Sequence, residues 1–207
     1  MKLGLYLGKD KISALRTIEK KTQSMKAYLE AGGKCGHSSA TTFEGCWQAN
    51  DWENVTDCSD MFYECGKLAS IPPMSTSNVT NMNNMFYFCR KLTSIPNMDT
   101  SKVTDMYQMF YHCDSITSIP MLDTSNVTNM GGTFYHCYNL ETIHMHGMKV
   151  SFDISASTKF TREALVEILN NLATVTTSPT LTMGSRNLAK LTDADKAIAT
   201  GKGWKLA

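Results

Sequence analysis

The stretch that decides the fold is VTNMNNMFYFCRKLTSIP at residues 79–96, which returns as VTDMYQMFYHCDSITSIP at residues 103–120. Working outward, the same phrase begins at Val55 and again at Val127. Phe62, Phe86, Phe110 and Phe134 are successively 24 residues apart, as are Cys65, Cys89, Cys113 and Cys137. Leu68, Leu92, Ile116 and Leu140 keep the step, followed by Ile71, Ile95, Ile119 and Ile143. A fixed period of this size is the signature of a stacked solenoid. One copy is too short to enclose its own apolar side, so each needs a neighbour to cover it. Identical positions then form ladders spaced by about 4.8 Å where strands pair, and four coils make a rod on the order of 20 Å long.

Within the unit, Leu92-x-x-Ile95 and its equivalents are read as the strand of each coil. Pro72, Pro96 and Pro120 turn the chain where the strand ends, since proline has no N–H for a ladder. The Met-Phe-Tyr-x-Cys segment is read as a helical or 3₁₀ turn, because Met82, Met85 and Phe86 share a 3,4 spacing. The repeated cysteines follow a shared Phe-Tyr, where a small inward apolar residue fits, and buried free cysteine behaves as a small hydrophobe. Parallel Cβ vectors on adjacent coils suit disulfide geometry poorly. Cys58 takes the slot of Met82, Met106 and Met130 and is read as inward too. The segments at 76–80, 100–104 and 124–128 are Ser/Thr/Asn turns whose side chains can bond neighbouring backbone groups. Asn54, Asn78 and Asn126 fall in N-x-S/T sequons and are assigned to this turn chemistry rather than to glycans.

Phe-Tyr-x-Cys-x-x-Leu-x-Ser-Ile-Pro, followed by Asp-Thr-Ser-Asn/Lys-Val-Thr-x-Met as at Thr100–Met106 and Asp123–Met130, resembles the BspA-like class of bacterial leucine-rich repeats. The resemblance covers about half of the 207 residues. It implies a short right-handed leucine-rich-repeat solenoid with an N-terminal helix and an α+β C-terminal cap. Such repeats are similar to ones on bacterial surface adhesins and on phage tail and other virion proteins. Both settings imply binding rather than chemistry, and repeat architecture is a scaffold for grafted functions.

Three segments are expected: 1–33, 34–146 and 147–207. In the first, residues 3–7 read as a short strand. Ile12, Leu15, Ile18, Met25, Tyr28 and Leu29 then give an amphipathic helix over 9–31, stopped by Gly32-Gly33, as a cap or an attachment to a carrier. Residues 34–54 read as a degenerate coil, with Phe43 and Cys46 repeating the Phe-to-Cys step and Trp47 and Trp52 adding bulk. Repeat four departs from the pattern at Gly131-Gly132-Thr133, and His144 replaces proline, so the repeats are expected to end there. The tail reads as a strand at Phe152 and Ile154. A helix capped by Thr161 follows, with Leu165, Ile168, Leu169 and Leu172 inward and Glu163 near its positive end. Leu181 and Met183 give another strand, Thr192 starts a helix stopped by Gly201, and Trp204 and Leu206 form a last strand. The segments at 180–185, 187–192 and 203–207 resemble the terminal cap found after such repeats.

The 20 basic and 19 acidic residues lack the basic footprint of a general nucleic-acid binder. No apolar run reaches the length of a membrane span, so no membrane insertion is expected. Read from Met1, Leu3, Leu5 and Leu7 are too interrupted for a signal-peptide core. A reduced cysteine ladder suits folding in a cytosol, whether the protein stays there or leaves within a particle. No C-x-x-C, Walker loop, H-E-x-x-H or paired catalytic carboxylates occur at a meaningful spacing, so a non-enzymatic role without cofactor or metal is expected. His112 and His136 share one repeat position and His144 and His146 alternate, which makes a weak metal pattern.

The expected function is a recognition or adhesion module on a phage virion or bacterial surface, holding a protein or a cell-surface glycan. The alternative is a structural subunit of a larger assembly, in contact with other virion proteins. Candidate contacts flank the strand at Ala69-Ser70, Thr93-Ser94, Thr117-Ser118 and Glu141-Thr142. Tyr63, Tyr87, Tyr111 and Tyr135 form a second stripe, able to stack on sugars or on one another between coils.

Overall fold

The computed structural model describes residues 55–71 and 73–207. The expected strand at 3–7, the helix over 9–31 and the degenerate coil with Cys46, Trp47 and Trp52 lie outside the described residues. The elements are β1 (Ser118–Asp123), β2 (Thr142–His146), β3 (Phe152–Asp153), α1 (Arg162–Asn171), β4 (Thr180–Thr182), α2 (Gly184–Leu188), α3 (Asp193–Gly201) and β5 (Lys205–Leu206).

The four copies hydrogen-bond to one another in parallel at a 24-residue register. Asp57 bridges Asn81, Asn81 bridges Asp105, and Asp105 bridges Asn129. Their side chains double as turn formers: Asp57, Asn81, Asp105 and Asn129 each accept the N–H two residues on, at 2.8, 3.0, 2.8 and 3.2 Å. The apolar ladder positions all point inward. Phe62, Phe86, Phe110 and Phe134 stack face to face at 5.4, 5.6 and 5.9 Å between centroids. Each buried ring contributes roughly 1.5–3 kcal/mol by leaving water. Val, Met, Cys, Leu and Ile of the same copies surround them in a core that runs unbroken from Val55 to Trp204.

The Met-Phe-Tyr-x-Cys segment is not helical, which corrects the expected helical or 3₁₀ turn. Alternate amides leave the coil: Met82, Asn84, Phe86 and Phe88 donate to the carbonyls of Asp105, Tyr107, Met109 and Tyr111 in the next copy. The intervening amides of Met85, Tyr87 and Cys89 donate three residues back, to Met82, Asn84 and Phe86. Such an alternation needs backbone with positive φ, and it recurs twice per copy. Asp60, Asn84, Gln108 and Gly132 have φ of 55°, 54°, 51° and 66°, and Glu64, Phe88, His112 and His136 have 58°, 57°, 56° and 61°. The 3,4 spacing thus reports shared burial, not helix.

The strand expectation also changes in detail. Among the described copies a ladder forms only late, where β1 pairs with β2 in parallel from Ser118–Thr142 to Asp123–His146. Residues 92–95 form no ladder and are joined to the preceding copy by the Thr93 amide on the Ala69 carbonyl. Pro120 does not end the strand but lies inside β1, where the register shifts between Ile119 and Leu122. A bulge is one of the few places a strand accepts a residue without an N–H.

The tail continues the same parallel logic with helices as the return path. β3 pairs with β4 at Phe152–Leu181, and β4 with β5 at Leu181–Leu206. Met148 bridges Leu172 in parallel and the Gly147 amide reaches the Asn171 carbonyl, while the Ser157 hydroxyl donates to the Leu140 carbonyl at 2.5 Å, so the tail docks directly on the last repeat. α1 starts at Thr161, whose hydroxyl accepts the Ala164 amide, and buries Ala164, Leu165, Ile168 and Leu169. α3 carries a full capping box between Thr192 and Asp195. No helix among the described residues is long and apolar enough to cross a membrane.

Candidate functional site

Because the inward positions are filled by packing, the chemistry open to a partner sits on three exterior columns. The first is the Ser/Thr edge. Ala69, Ser70, Thr93, Ser94, Thr117 and Glu141 are exposed, and Ser118 and Thr142 are half-buried. Part of its hydrogen-bonding capacity is spent between copies: the Thr93 hydroxyl donates to the Ala69 carbonyl at 3.3 Å, and the Ser118 and Thr142 hydroxyls bond each other at 2.7 Å.

The second column is the tyrosine stripe. Tyr63, Tyr87, Tyr111 and Tyr135 stack on one another at 4.7, 4.8 and 5.1 Å with interplanar angles of 4°, 13° and 19°. Both faces of Tyr87 and Tyr111 are therefore taken, and they offer a partner only their edges. Partial desolvation, then nearby charges, holds the Tyr63 hydroxyl above its ordinary pKa, and the Tyr87 hydroxyl shifts the same way, with Tyr111 the leading neighbour. At the far end Tyr135 is 46 % and Tyr138 47 % exposed, both against the His136 ring, and Tyr107 in the copy before is 38 % exposed.

Of the third column the sequence singled out only His112 and His136, as part of a weak metal pattern. Glu64, Phe88, His112 and His136 occupy one of the two positive-φ positions of each copy. Phe88 packs on His112 at 4.5 Å, and His112 stacks on His136 at 4.2 Å with an interplanar angle of 20°. The Arg90 guanidinium lies 4.9 Å over the Phe88 ring and 3.9 Å from the Asp114 carboxylate. His112 Nδ1 is 3.0 Å from Asp114 Oδ1, and His136 Nδ1 meets the Tyr138 hydroxyl. Desolvation, then the neighbouring His112, holds His136 below its ordinary pKa of 6.5. The position varies in residue type, so composition does not reveal it; the signal is its fixed offset from Phe and Cys.

The other described histidines are engaged singly. His144 and His146 share the outward side of β2, His144 Nδ1 lies 2.7 Å from Glu167 Oε1, and His146 Nδ1 is 3.8 Å from Asp123. Carboxylate partners absent at any fixed sequence spacing are thus supplied by α1 and β1. Among the described residues no three His, Cys, Asp or Glu side chains converge as a metal site. Cys58, Cys65, Cys89, Cys113 and Cys137 are buried. Burial pushes the Cys58 and Cys137 thiols up to about 12, and it raises the Cys89 and Cys113 thiols as well. In the sequons, Asn126 Nδ2 donates to the Ser101 carbonyl at 2.7 Å, and Asn78 Oδ1 accepts Lys102 Nζ at 2.7 Å.

A family model described as "Mycoplasma protein of unknown function, DUF285" matches residues 37–161. No curated protein and no solved structure matches the chain.

Proposed function

The chain belongs to the DUF285 family, and from that premise we propose that it is a BspA-like leucine-rich-repeat solenoid acting as a non-enzymatic recognition module. In this reading the module is displayed on a bacterial surface or a phage virion and binds a protein or a glycan. The family match spans the repeats, and their stacked, 24-residue register is what a solenoid requires. The observation that carries the reading is the placing of two exposed tyrosines, Tyr135 and Tyr138 at 46 and 47 %, around His136 at the end of two stacked ring columns. Exposed tyrosines in such a cluster provide rigid contact area with a polar tip at small entropic cost. The Ser/Thr edge is the second surface, with Ser70, Thr93, Ser94 and Thr117 at its exposed positions.

The test is a titration of fluorescently labelled full-length chain on bacterial and epithelial cells, with the Tyr135→Ala/Tyr138→Ala double variant alongside. Saturable binding weakened by about tenfold or more in the double variant is expected, since each lost aromatic anchor costs ~1 kcal/mol or more. A chain that binds no cell type, or a double variant that binds as well as the parent, contradicts the reading.

A further inference from the structure

Two residues after the third column, each copy adds a member to a fourth: Gly66, Arg90, Asp114 and Tyr138. Arg90 Nε lies 3.9 Å from Asp114 Oδ2, so the column runs in line from copy to copy. Its ends are opposites. Tyr138 stands out with 47 % of its surface exposed, while Gly66 has no side chain to show. The backbone does not ask for glycine there: its φ is outside the left-handed region, and among the described residues a Cβ would meet only the Phe88 carbonyl, at an ordinary 3.5 Å. Between the ends stand a cation and an anion, with 54 % and 33 % of their side chains exposed. Read down one chain and up another, the column matches itself, notch against tyrosine and arginine against aspartate. The third column does the same, with Glu64 against His136 and Phe88 against His112.

We infer that these two columns are the docking surface for a second copy of this chain, packed antiparallel, with the two-fold axis crossing the stack between the second and third repeats. A two-fold contact requires a surface complementary to its own reverse, and unlike groups in mirrored order over four repeats meet that requirement. Tyr138 then fills the notch over the partner's Gly66, and Arg90 and Asp114 meet the partner's Asp114 and Arg90 in a ring of four charges. Lys67 and Glu141, exposed beside opposite ends of the columns and without an ion pair among the described residues, extend the same opposition of sign. The faces of Phe88, His112 and His136 are covered within the chain by one another and by Arg90, which leaves their edges for a protein partner to pack on.

Charge argues for the same occupant. The cations Lys67, Arg90 and Lys91 are balanced by the anions Glu64, Asp114 and Glu141, so this face has no net sign to draw a polyanion. An unrelated partner would not require one half of the surface to complement the other. Four repeats span roughly 20 Å at about 4.8 Å per step, which puts the contact in the small, weak class of interface, under about 800 Å² per partner. The pairing is therefore reversible, dependent on concentration and weakened by salt, which screens exposed charges. The inference stands apart from the recognition reading: the oligomeric state decides this one and the cell titration the other. Tyr138 is common to both, so the variants below leave it in place.

The full-length chain is followed by sedimentation velocity over a concentration series reaching about 1 mM, in low and in high salt. Arg90→Asp and Asp114→Arg each put like charges across the contact when the variant meets itself, and unlike charges when the two variants meet each other. Gly66→Trp fills the notch. The expected result is an equilibrium between monomer and dimer for the parent that weakens in high salt, with self-association about tenfold weaker or more in each of the three variants. Mixing the Arg90→Asp and Asp114→Arg chains in equal amounts restores the dimer. Thermal melts run alongside are expected to stay near the parent's, since all three changes lie on the surface. A parent that stays monomeric throughout the series overturns the inference, as do variants that associate as the parent does or a mixture that associates no better than its two components.

Discussion

The thiol of Cys113 has two jobs that neither alanine nor valine does. It fills a fully buried slot, and its Sγ lies 3.1 Å from the Phe86 carbonyl of the preceding copy. Cys89 reaches Phe62 at 3.1 Å and Cys137 reaches Phe110 at 3.0 Å in the same way. Cys113→Ala leaves a small void and one less donor, and is expected to lower unfolding free energy by about 1–2 kcal/mol in urea titration. The inward direction of these cysteines could be read from their fixed place after Phe-Tyr. The carbonyl they serve belongs to the copy before and could not be read from one copy.

Asn84 gives the opposite sign. Its Oδ1 is buried without a hydrogen-bond partner and its φ is 54°, whereas the equivalent residue of the fourth copy is Gly132 at 66°. Asn84→Gly removes both costs and is expected to raise stability by about 1 kcal/mol. A drop of that size in the same titration would show that the side chain has a partner in solution. The sequence presented Gly131-Gly132 as decay of the repeat, but at Gly132 the backbone is ideal for a position the earlier copies fill at a cost. Gly203, at φ 86°, is held more tightly still, since a Cβ there would run into the Val175 carbonyl.

At the scale of elements, the tail depends on bonds between helix ends. Arg162, at the start of α1, grips Asp195 at the start of α3 through Nε and Nη2, at 2.8 and 2.7 Å. The Thr192 backbone amide, then the Arg162 and Thr192 side-chain bonds, holds the Asp195 carboxyl below its ordinary pKa of 3.8. The native state therefore favours the ionised form. Its contribution is complete above that ordinary value and is lost as pH falls through the lower, folded one. Arg162→Met is expected to melt below the parent at neutral pH, with the gap closing in acid once Asp195 is protonated in both. A gap that is constant with pH would contradict the assignment. Lys202 supplies the basic group that the last turn of α1 lacks, donating to the carbonyls of Leu169 and Leu172 at 3.2 and 2.9 Å and to that of Asn170. Lys202→Met is expected to cost about 1–2 kcal/mol by denaturant titration.

Legibility varied between elements for physical reasons. Thr161 and Thr192 announce α1 and α3 because a cap is a local bond between neighbours. α2 left no such mark. Its N-cap, Met183, makes no side-chain bond, and the helix is held by buried Asn187, whose Nδ2 donates to the Ser157 carbonyl 30 residues away at 2.8 Å. The repeat strands were misplaced because burial of Leu92 and Ile95 is compatible with extended chain whether or not a neighbour pairs with it.

For the molecule as a whole, each copy is the lid of the one before, so stability is shared between nearest neighbours. Phe110 lies between Phe86 and Phe134 at 5.6 and 5.9 Å, and truncating it loosens two interfaces at once. Phe110→Ala is expected to cost about 3–5 kcal/mol, near the low end of what a domain has to lose. The period of 24 was plain in the chain, and with it the inward set of Phe, Cys, Leu and Ile. The candidate surface was legible only in part: the tyrosine stripe and its stacking between coils could be read from the period, but the neighbouring left-handed column depends on how adjacent copies lie over one another. The most direct test of that arrangement is alkylation of the native chain by a bulky maleimide, read cysteine by cysteine by mass spectrometry. Cys58, Cys65, Cys89, Cys113 and Cys137, all at most 1 % exposed, are expected to stay unmodified until denaturant is added; rapid labelling of these thiols in the folded protein would contradict it.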